Sequence, residues 1–144
     1  MKKVSDILSH EGKHITAVAP TTAVRDALKM MAEENIGSII VMDGKKFLGI
    51  MTERDYARKV VLTGRSSAEV TVSEIMSTHF PVICPKDTLE FCMQQMSDLN
   101  LRYLPVFSAG RLIGIISIND VVSETISGHE EVITHLTDYL HANL

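Results

Sequence analysis

Apolar positions along this chain follow two periods in alternation. The spacing i, i+3, i+4, i+7 picks out Val24, Ala27, Leu28 and Met31, and again Leu89, Cys92, Met93 and Met96. A stripe of that kind forms one face of an amphipathic helix. Short apolar runs at 15–18, 38–42, 47–51, 80–83, 104–107 and 112–116 alternate with the stripes and predict strands. Asp43-Gly44 separates two of these runs and Ser108-Ala109-Gly110 separates two others, so both pairs read as hairpins. Strands this uniformly apolar predict sheets covered on both faces. A helix is predicted after each hairpin. A last amphipathic stretch carries Val132, Ile133, Leu136, Tyr139 and Leu140 on one side, with Ser127-Gly128-His129-Glu130 as its start. At the head of the second stripe Asp87 is placed to cap and Glu90 to return the bond. Thr22 and Arg25 give the first stripe a cap without the box.

The order strand, helix, strand, strand, helix thus occurs twice, and the sequence itself repeats at an offset of 65 residues. Pro20 matches Pro85, Met31 matches Met96, Asn35 matches Asn100, Val41 matches Val106, Gly49-Ile50 matches Gly114-Ile115, and Asp55 matches Asp120. Apolar class is kept at most other positions, which marks a duplication. Upstream, Val4-Ser5-Asp6-Ile7 resembles Val72-Ser73-Glu74-Ile75 at an offset of 68, so the first copy holds three extra residues around Gly12. Two copies are too few for a solenoid, and one copy alone has little core to bury. The expected fold is α+β with strands and helices mixed. Two β-α-β-β-α repeats, 1–65 and 66–127, would pack as a pseudo-twofold pair, with a C-terminal helix over 128–144. Thr63-Gly64-Arg65-Ser66-Ser67 reads as the linker between repeats.

Composition narrows the function. At 45% apolar and 22% charged residues the 144-residue chain has the make-up of a globular domain. Fourteen basic against eighteen acidic side chains leave no basic surplus, so a nucleic-acid partner is not expected. No apolar run approaches the roughly 18 residues that cross a bilayer. The start Met1-Lys2-Lys3-Val4-Ser5-Asp6 is unlike a secretory leader, so a cytoplasmic, membrane-free protein is expected. Cys84 and Cys92 are too few for a disulfide framework and read as small buried hydrophobes. His10 and His14 flank Gly12, and His129, His135 and His141 stand six apart, so no metal site is expected. No nucleophile is paired with a base, so no turnover is expected.

The residues that carry chemistry stand where each hairpin runs into a helix: Gly49-Ile50-Met51-Thr52-Glu53-Arg54-Asp55 and Gly114-Ile115-Ile116-Ser117-Ile118-Asn119-Asp120. A hydroxyl three residues before a carboxylate is a helix-capping device, and it could be no more than that. The same geometry also suits a ribonucleotide. A helix start attracts phosphate through unpaired N–H groups, and a carboxylate one turn in accepts both hydrogen bonds of a ribose diol.

These two motifs, the Leu101-Arg102-Tyr103-Leu104-Pro105-Val106 strand entry and the two Val-Ser-Asp/Glu-Ile openings together resemble a tandem pair of cystathionine-β-synthase (CBS) domains, of the stand-alone bacterial and archaeal type. The resemblance runs from Val4 to about Ile126. It implies small adenosine-nucleotide-sensing modules in which the motif aspartate holds the ribose and the motif hydroxyl meets ribose or phosphate. The base would lie between apolar strand residues, partly from the opposite repeat. For the second motif it implies Ser117, Asp120, Asn119 and Ile115, with Thr16 and Ile36 at the adenine and Arg102 at the phosphate. For the first motif it implies Ile50, Thr52, Arg54 and Asp55, with Pro81 and Leu101.

Gly37 stands where Arg102 does, and Asn119 where Arg54 does, so the two sites are expected to bind unequally. The second motif is the first choice. The resemblance implies a non-catalytic regulatory module that binds AMP, ADP, ATP or an NAD(H)-like adenine nucleotide, associates as a homodimer and acts on a regulated protein. A dimerising scaffold without ligand, or a small nucleotide-hydrolysing enzyme, are the alternatives.

Overall fold

In the computed structural model, residues 1–11, 15–127 and 130–142 are described, and the chain divides into two compact units. One is Ile15–His79; the other joins Met1–His14 to Phe80–Leu144. The opening helix α1 (Val4–Glu11) therefore folds with the later part of the chain.

In the first-motif unit, β1 (Ala17–Val18) leads to α2 (Val24–Glu34), and the hairpin β2 (Ser38–Asp43) and β3 (Lys46–Thr52) follows. β1 runs parallel to β2, and β2 antiparallel to β3, in the order β1-β2-β3. The hairpin closes at the Asp43–Lys46 pair, with Gly44 at φ 60°. Then come α3 (Glu53–Tyr56), a π-helical segment (Ala57–Val61) and α4 (Val72–Ile75). Val24, Ala27 and Met31 from the α2 stripe meet Ile39, Val41, Met51, Val60, Val72 and Ile75 in one core. Ile40 and Ile50, which point to the opposite strand face, are buried as well.

In the second-motif unit, α5 (Leu89–Leu99) precedes the antiparallel hairpin β4 (Tyr103–Ser108) and β5 (Arg111–Ser117). α6 (Ile118–Ile126) and α7 (Glu130–Ala142) follow. Val4 and Ile7 of α1 join Leu89, Cys92, Met96, Leu104, Val106, Ile116 and Val121 in its core. Burial pushes the Cys92 thiol up to about 12, so it behaves as a small apolar group. On α7, Leu136 is buried and the Tyr139 hydroxyl donates to the Met93 carbonyl. Gly128 and His129 of the expected helix start, the side chains of Val132 and Ile133, and Gly12 and His14 lie outside the described residues.

Several identities of the repeat now have a physical cause. Asn35 and Asn100 both end a helix in the left-handed conformation at φ 54°, which asparagine tolerates better than most residues. A Cβ on Gly49 would sit 2.6 Å from the Ser77 carbonyl oxygen, and one on Gly114 would sit 2.9 Å from the Leu8 side chain. The two prolines mark carbonyls used alike: Ser73 N–H donates to Pro20 and Ser5 N–H to Pro85.

Those last bonds explain how the units are drawn. Each Val-Ser-Asp/Glu-Ile opening docks on the helix start of the other copy. Val72 N–H donates to Thr22 and Val24 N–H to Val70, while Val4 N–H donates to Asp87 and Leu89 N–H to Lys2. Compact units and sequence repeats are thus cut at different places. The stretch read as an inter-repeat linker is held inside the first-motif unit, where the Ser67 carbonyl accepts from Arg25 N–H and Arg65 pairs with Glu74 at 2.7 Å.

Three local expectations are corrected. α2 starts at Ala23 with no side-chain cap, because the carbonyls of Ser67 and Val70 serve its first turn in place of Thr22. α5 is capped by Thr88, which accepts from Phe91 N–H, while Asp87 accepts from Cys84 N–H at 2.7 Å to close the preceding turn. The run 80–83 pairs only at Ile83, with Val106, because Pro81 has no N–H to enter a ladder.

Candidate functional site

Both hairpin ends deliver a hydroxyl and a carboxylate to a helix start, and both form complete capping boxes. In the second-motif unit the Ser117 hydroxyl accepts from Asp120 N–H at 3.1 Å, and Asp120 Oδ2 accepts from Ser117 N–H at 2.7 Å. In the first-motif unit the Thr52 hydroxyl accepts from Asp55 N–H at 3.1 Å, and Asp55 Oδ2 accepts from Thr52 N–H at 3.0 Å. The capping reading of these residues is therefore structurally real in both copies, and the ligand question turns on what each carboxylate has left over.

Asp120 has an oxygen to spare. It is half-buried, and among the described residues its Oδ1 has no partner. Arg102 stands beside it in the fold: its carbonyl accepts from Ile118 N–H at 2.9 Å, and Tyr103 pairs with Ser117 across the hairpin. The Arg102 side chain is exposed, with no partner among the described residues. Asn119 is exposed on the same first helical turn. Ile115 is half-buried, and no described main-chain group pairs with the edge of β5 that it presents away from β4. One end of the hairpin thus gathers a hydroxyl, a half-free carboxylate, a guanidinium and an open strand edge. Thr16 and Ile36 belong to the other unit, where the Thr16 hydroxyl donates to Glu34 at 2.7 Å and Ile36 N–H donates to Met31.

Asp55 has nothing to spare. It is 7% exposed, and its Oδ1 takes the Ser77 hydroxyl at 3.2 Å and the Lys59 ammonium at 3.0 Å. Lys59 also donates to the Ile75 carbonyl at 2.8 Å. Ile50, fully buried, exchanges main-chain hydrogen bonds with Ser77 at 3.0 and 2.9 Å. Arg54 is half-buried and has interactions of its own, which differs from a residue merely solvated on a first helical turn. Near Gly37, where the other copy has Arg102, a cleft of about 210 Å³ is lined by Met31, Asn35, Ile36 and Glu53 among others. Pro81 and Leu101 belong to the other unit, both half-buried.

Sequence reasoning missed Lys59, Ser77 and Glu124. The four-residue spacing of Asp55 and Lys59 is an ordinary helix ion-pair signal and could have flagged the first. Ser77 is 22 residues from Asp55, and no local pattern joins them. Among the described residues no cluster of His, Cys, Asp and Glu could hold a metal ion, and no helix is long and apolar enough to cross a membrane.

Comparisons with known proteins agree with this architecture. The CBS domain family matches twice, over residues 4–62 and 72–126. A solved CBS-domain protein of Burkholderia ambifaria MC40-6 is 42% identical, with a TM-score of 0.85 over 90% of this chain and 97% of that one. The CBS domain-containing protein CBSX3, mitochondrial, of Arabidopsis thaliana is 33% identical over 95% of this chain and 71% of its own length. The CBS domain-containing protein YhcV of Bacillus subtilis is 29% identical over the whole of this chain and 99% of its own. With both copies matched, their capping boxes formed and a helix, hairpin and helix in each, the chain belongs to the CBS domain family and carries a tandem pair of its domains.

Proposed function

We propose that this CBS domain pair is a cytoplasmic regulatory module, without turnover, that binds an adenine nucleotide at its second motif. The observation that carries the reading is that, among the described residues, Asp120 Oδ1 and the exposed Arg102 side chain have no partner, on two segments joined by the Ile118 N–H to Arg102 carbonyl bond. In this assignment Asp120 accepts from the ribose diol while Ser117 keeps the helix start in register. Arg102 pairs with the phosphate in a charge-assisted contact. The base edge meets the open main-chain edge at Ile115, and Asn119 lies beside the sugar. The ligand class has a precedent in the fold: the CBS domain pair of protein MJ0100 is described in complex with 5′-methylthioadenosine and S-adenosyl-L-methionine. At 24% identity and a TM-score of 0.74 that likeness is one of fold. A CBS-CP12 protein from bloom-forming cyanobacteria, 27% identical, is described as hexameric, which supports self-association here. We assign this chain a homodimer whose packing a nucleotide would bias toward one state, to be read by a partner protein.

A thermal-shift panel of AMP, ADP, ATP, NAD, NADH and S-adenosylmethionine tests the reading. At one hundred times its dissociation constant a ligand adds about 2.7 kcal/mol, a shift of several degrees. Asp120→Asn abolishes most of that shift with the unliganded melt unchanged. Arg102→Ala weakens AMP about tenfold or more and adenosine little, because a hydrogen bond to a charged group is worth about 1.5–3 kcal/mol. Equal losses for AMP and adenosine would remove the phosphate from Arg102, and a full shift in Asp120→Asn would remove the ribose from Asp120.

A further inference from the structure

Two features that leave the second motif open, the spare carboxylate oxygen and the bare strand edge, are filled in the first by the chain itself. We infer that the first motif is self-occupied: Ser77 and Lys59 take the positions that a nucleoside would take, and the chain binds one nucleotide. The inference rests on the proposed nucleotide site at the second motif and extends it to the stoichiometry of binding.

The geometry carries it group by group. A ribose hydroxyl would donate to the motif carboxylate; here the Ser77 hydroxyl donates to Asp55 Oδ1 at 3.2 Å. A base edge would pair with the main chain of the motif isoleucine; here Ser77 N–H and C=O pair with Ile50 on that edge. A ligand would need the remaining charge of Asp55; here Lys59 neutralises it at 3.0 Å and is itself anchored on the Ile75 carbonyl. Gly49 seals the arrangement, since its bare Cα lets the Ser77 carbonyl lie where a Cβ would be only 2.6 Å away.

The counterpart opening in the second unit cannot do the same. It continues as the eight-residue helix α1, and it is a side chain, Leu8, that approaches Gly114. Position 124, the match of Lys59, is a glutamate turned to Lys2 at 3.1 Å. Displacing Ser77 and Lys59 would strip a buried carboxylate of two partners and break two main-chain bonds, which no ribose at Asp55 would fully restore.

Titration calorimetry with AMP and with ATP, joined to native-state amide exchange, decides the matter. The wild-type chain binds one nucleotide, Asp120→Asn binds none, and Lys59→Gln and Ser77→Ala keep the wild-type affinity within about twofold. Two nucleotides per chain would overturn the inference. So would one nucleotide surviving in Asp120→Asn and weakening in Lys59→Gln. The exchange arm reads the inference without any ligand. The Ile50 and Ser77 amides exchange at least about a hundredfold more slowly than those of Thr78 and His79, and AMP or ATP leaves them unchanged. Fast exchange at Ser77 would sink self-occupation whatever binds. Failure of both nucleotides to bind the wild type, with Ser77 protected, would sink the second-motif assignment and leave the first motif closed.

Discussion

The helices that follow the two hairpins begin alike and diverge one turn later. Thr52 with Asp55 and Ser117 with Asp120 build the same capping box to within a few tenths of an ångström. Four residues beyond each aspartate the copies carry opposite charges, Lys59 and Glu124. Lys59, on the π-helical segment, turns back onto Asp55, whereas Glu124, on regular helix, turns to the chain start, where Lys2 lies at 3.1 Å and His10 at 3.7 Å. The charge at this one position thus decides whether it pairs with the motif aspartate or with the chain start. The lesson is that a matching motif fixes where the reactive groups stand, while the residues around it decide whether those groups are available.

The comparison can be pressed hardest at the glycines. Gly49→Ala drives a Cβ against the main chain of Ser77, which cannot yield without losing its pairing to Ile50, and costs about 3 kcal/mol. Gly114→Ala meets only the mobile end of Leu8 and costs less than about 1 kcal/mol. Urea midpoints of the two variants measure the gap, and equal costs would mean that the two motifs are equally enclosed. Next come the aspartates without nucleotide. Asp55→Asn weakens the bonds to Lys59 and Ser77 and costs about 2 kcal/mol. Asp120→Asn keeps an oxygen to accept from Ser117 N–H and costs below about 0.5 kcal/mol, which the same denaturation series reads.

The smallest effect lies in the opening of the second copy and is read by pH. The Thr71 N–H, and after it Arg65, hold the Glu74 carboxyl below the ordinary glutamate value. Its folded pKa is depressed, so its contribution is full above the unfolded pKa and is lost as pH falls through the lower folded value. Glu74→Gln therefore lowers the wild-type urea midpoint slightly near about pH 6 and leaves it nearly unchanged near about pH 3. A variant gap that widened toward acid would reverse the assigned sign.

Much of this was legible in the sequence, and for local reasons. Helical stripes, hairpin turns and the two Thr/Ser-x-x-Asp boxes involve residues within four positions of one another, and backbone geometry sets what such neighbours do. The helix starts at Ala23 and Thr88 were misread because distant carbonyls or a preceding turn claimed the obvious groups. What lay beyond reading was long-range: the exchange of openings between copies, and the hold of Ser77 on Asp55 across 22 residues. The open Asp120 and the closed Asp55 are written in the same pattern, Gly-Ile-x-Thr/Ser-x-x-Asp, so the hold of Ser77 on one of them exists only once the chain has folded.

The exchange of openings also orders events during synthesis. Val4 and Ile7 leave the ribosome early, yet the core that receives them is built from residues after Phe80. The unit from Ile15 to His79 has all its parts in hand well before that. Translation therefore delivers the inner unit first and leaves α1 an unclaimed amphipathic segment until the residues after Phe80 have been made. The unit that carries Asp120 is completed only when Val4 and Ile7 meet core residues made after Phe80.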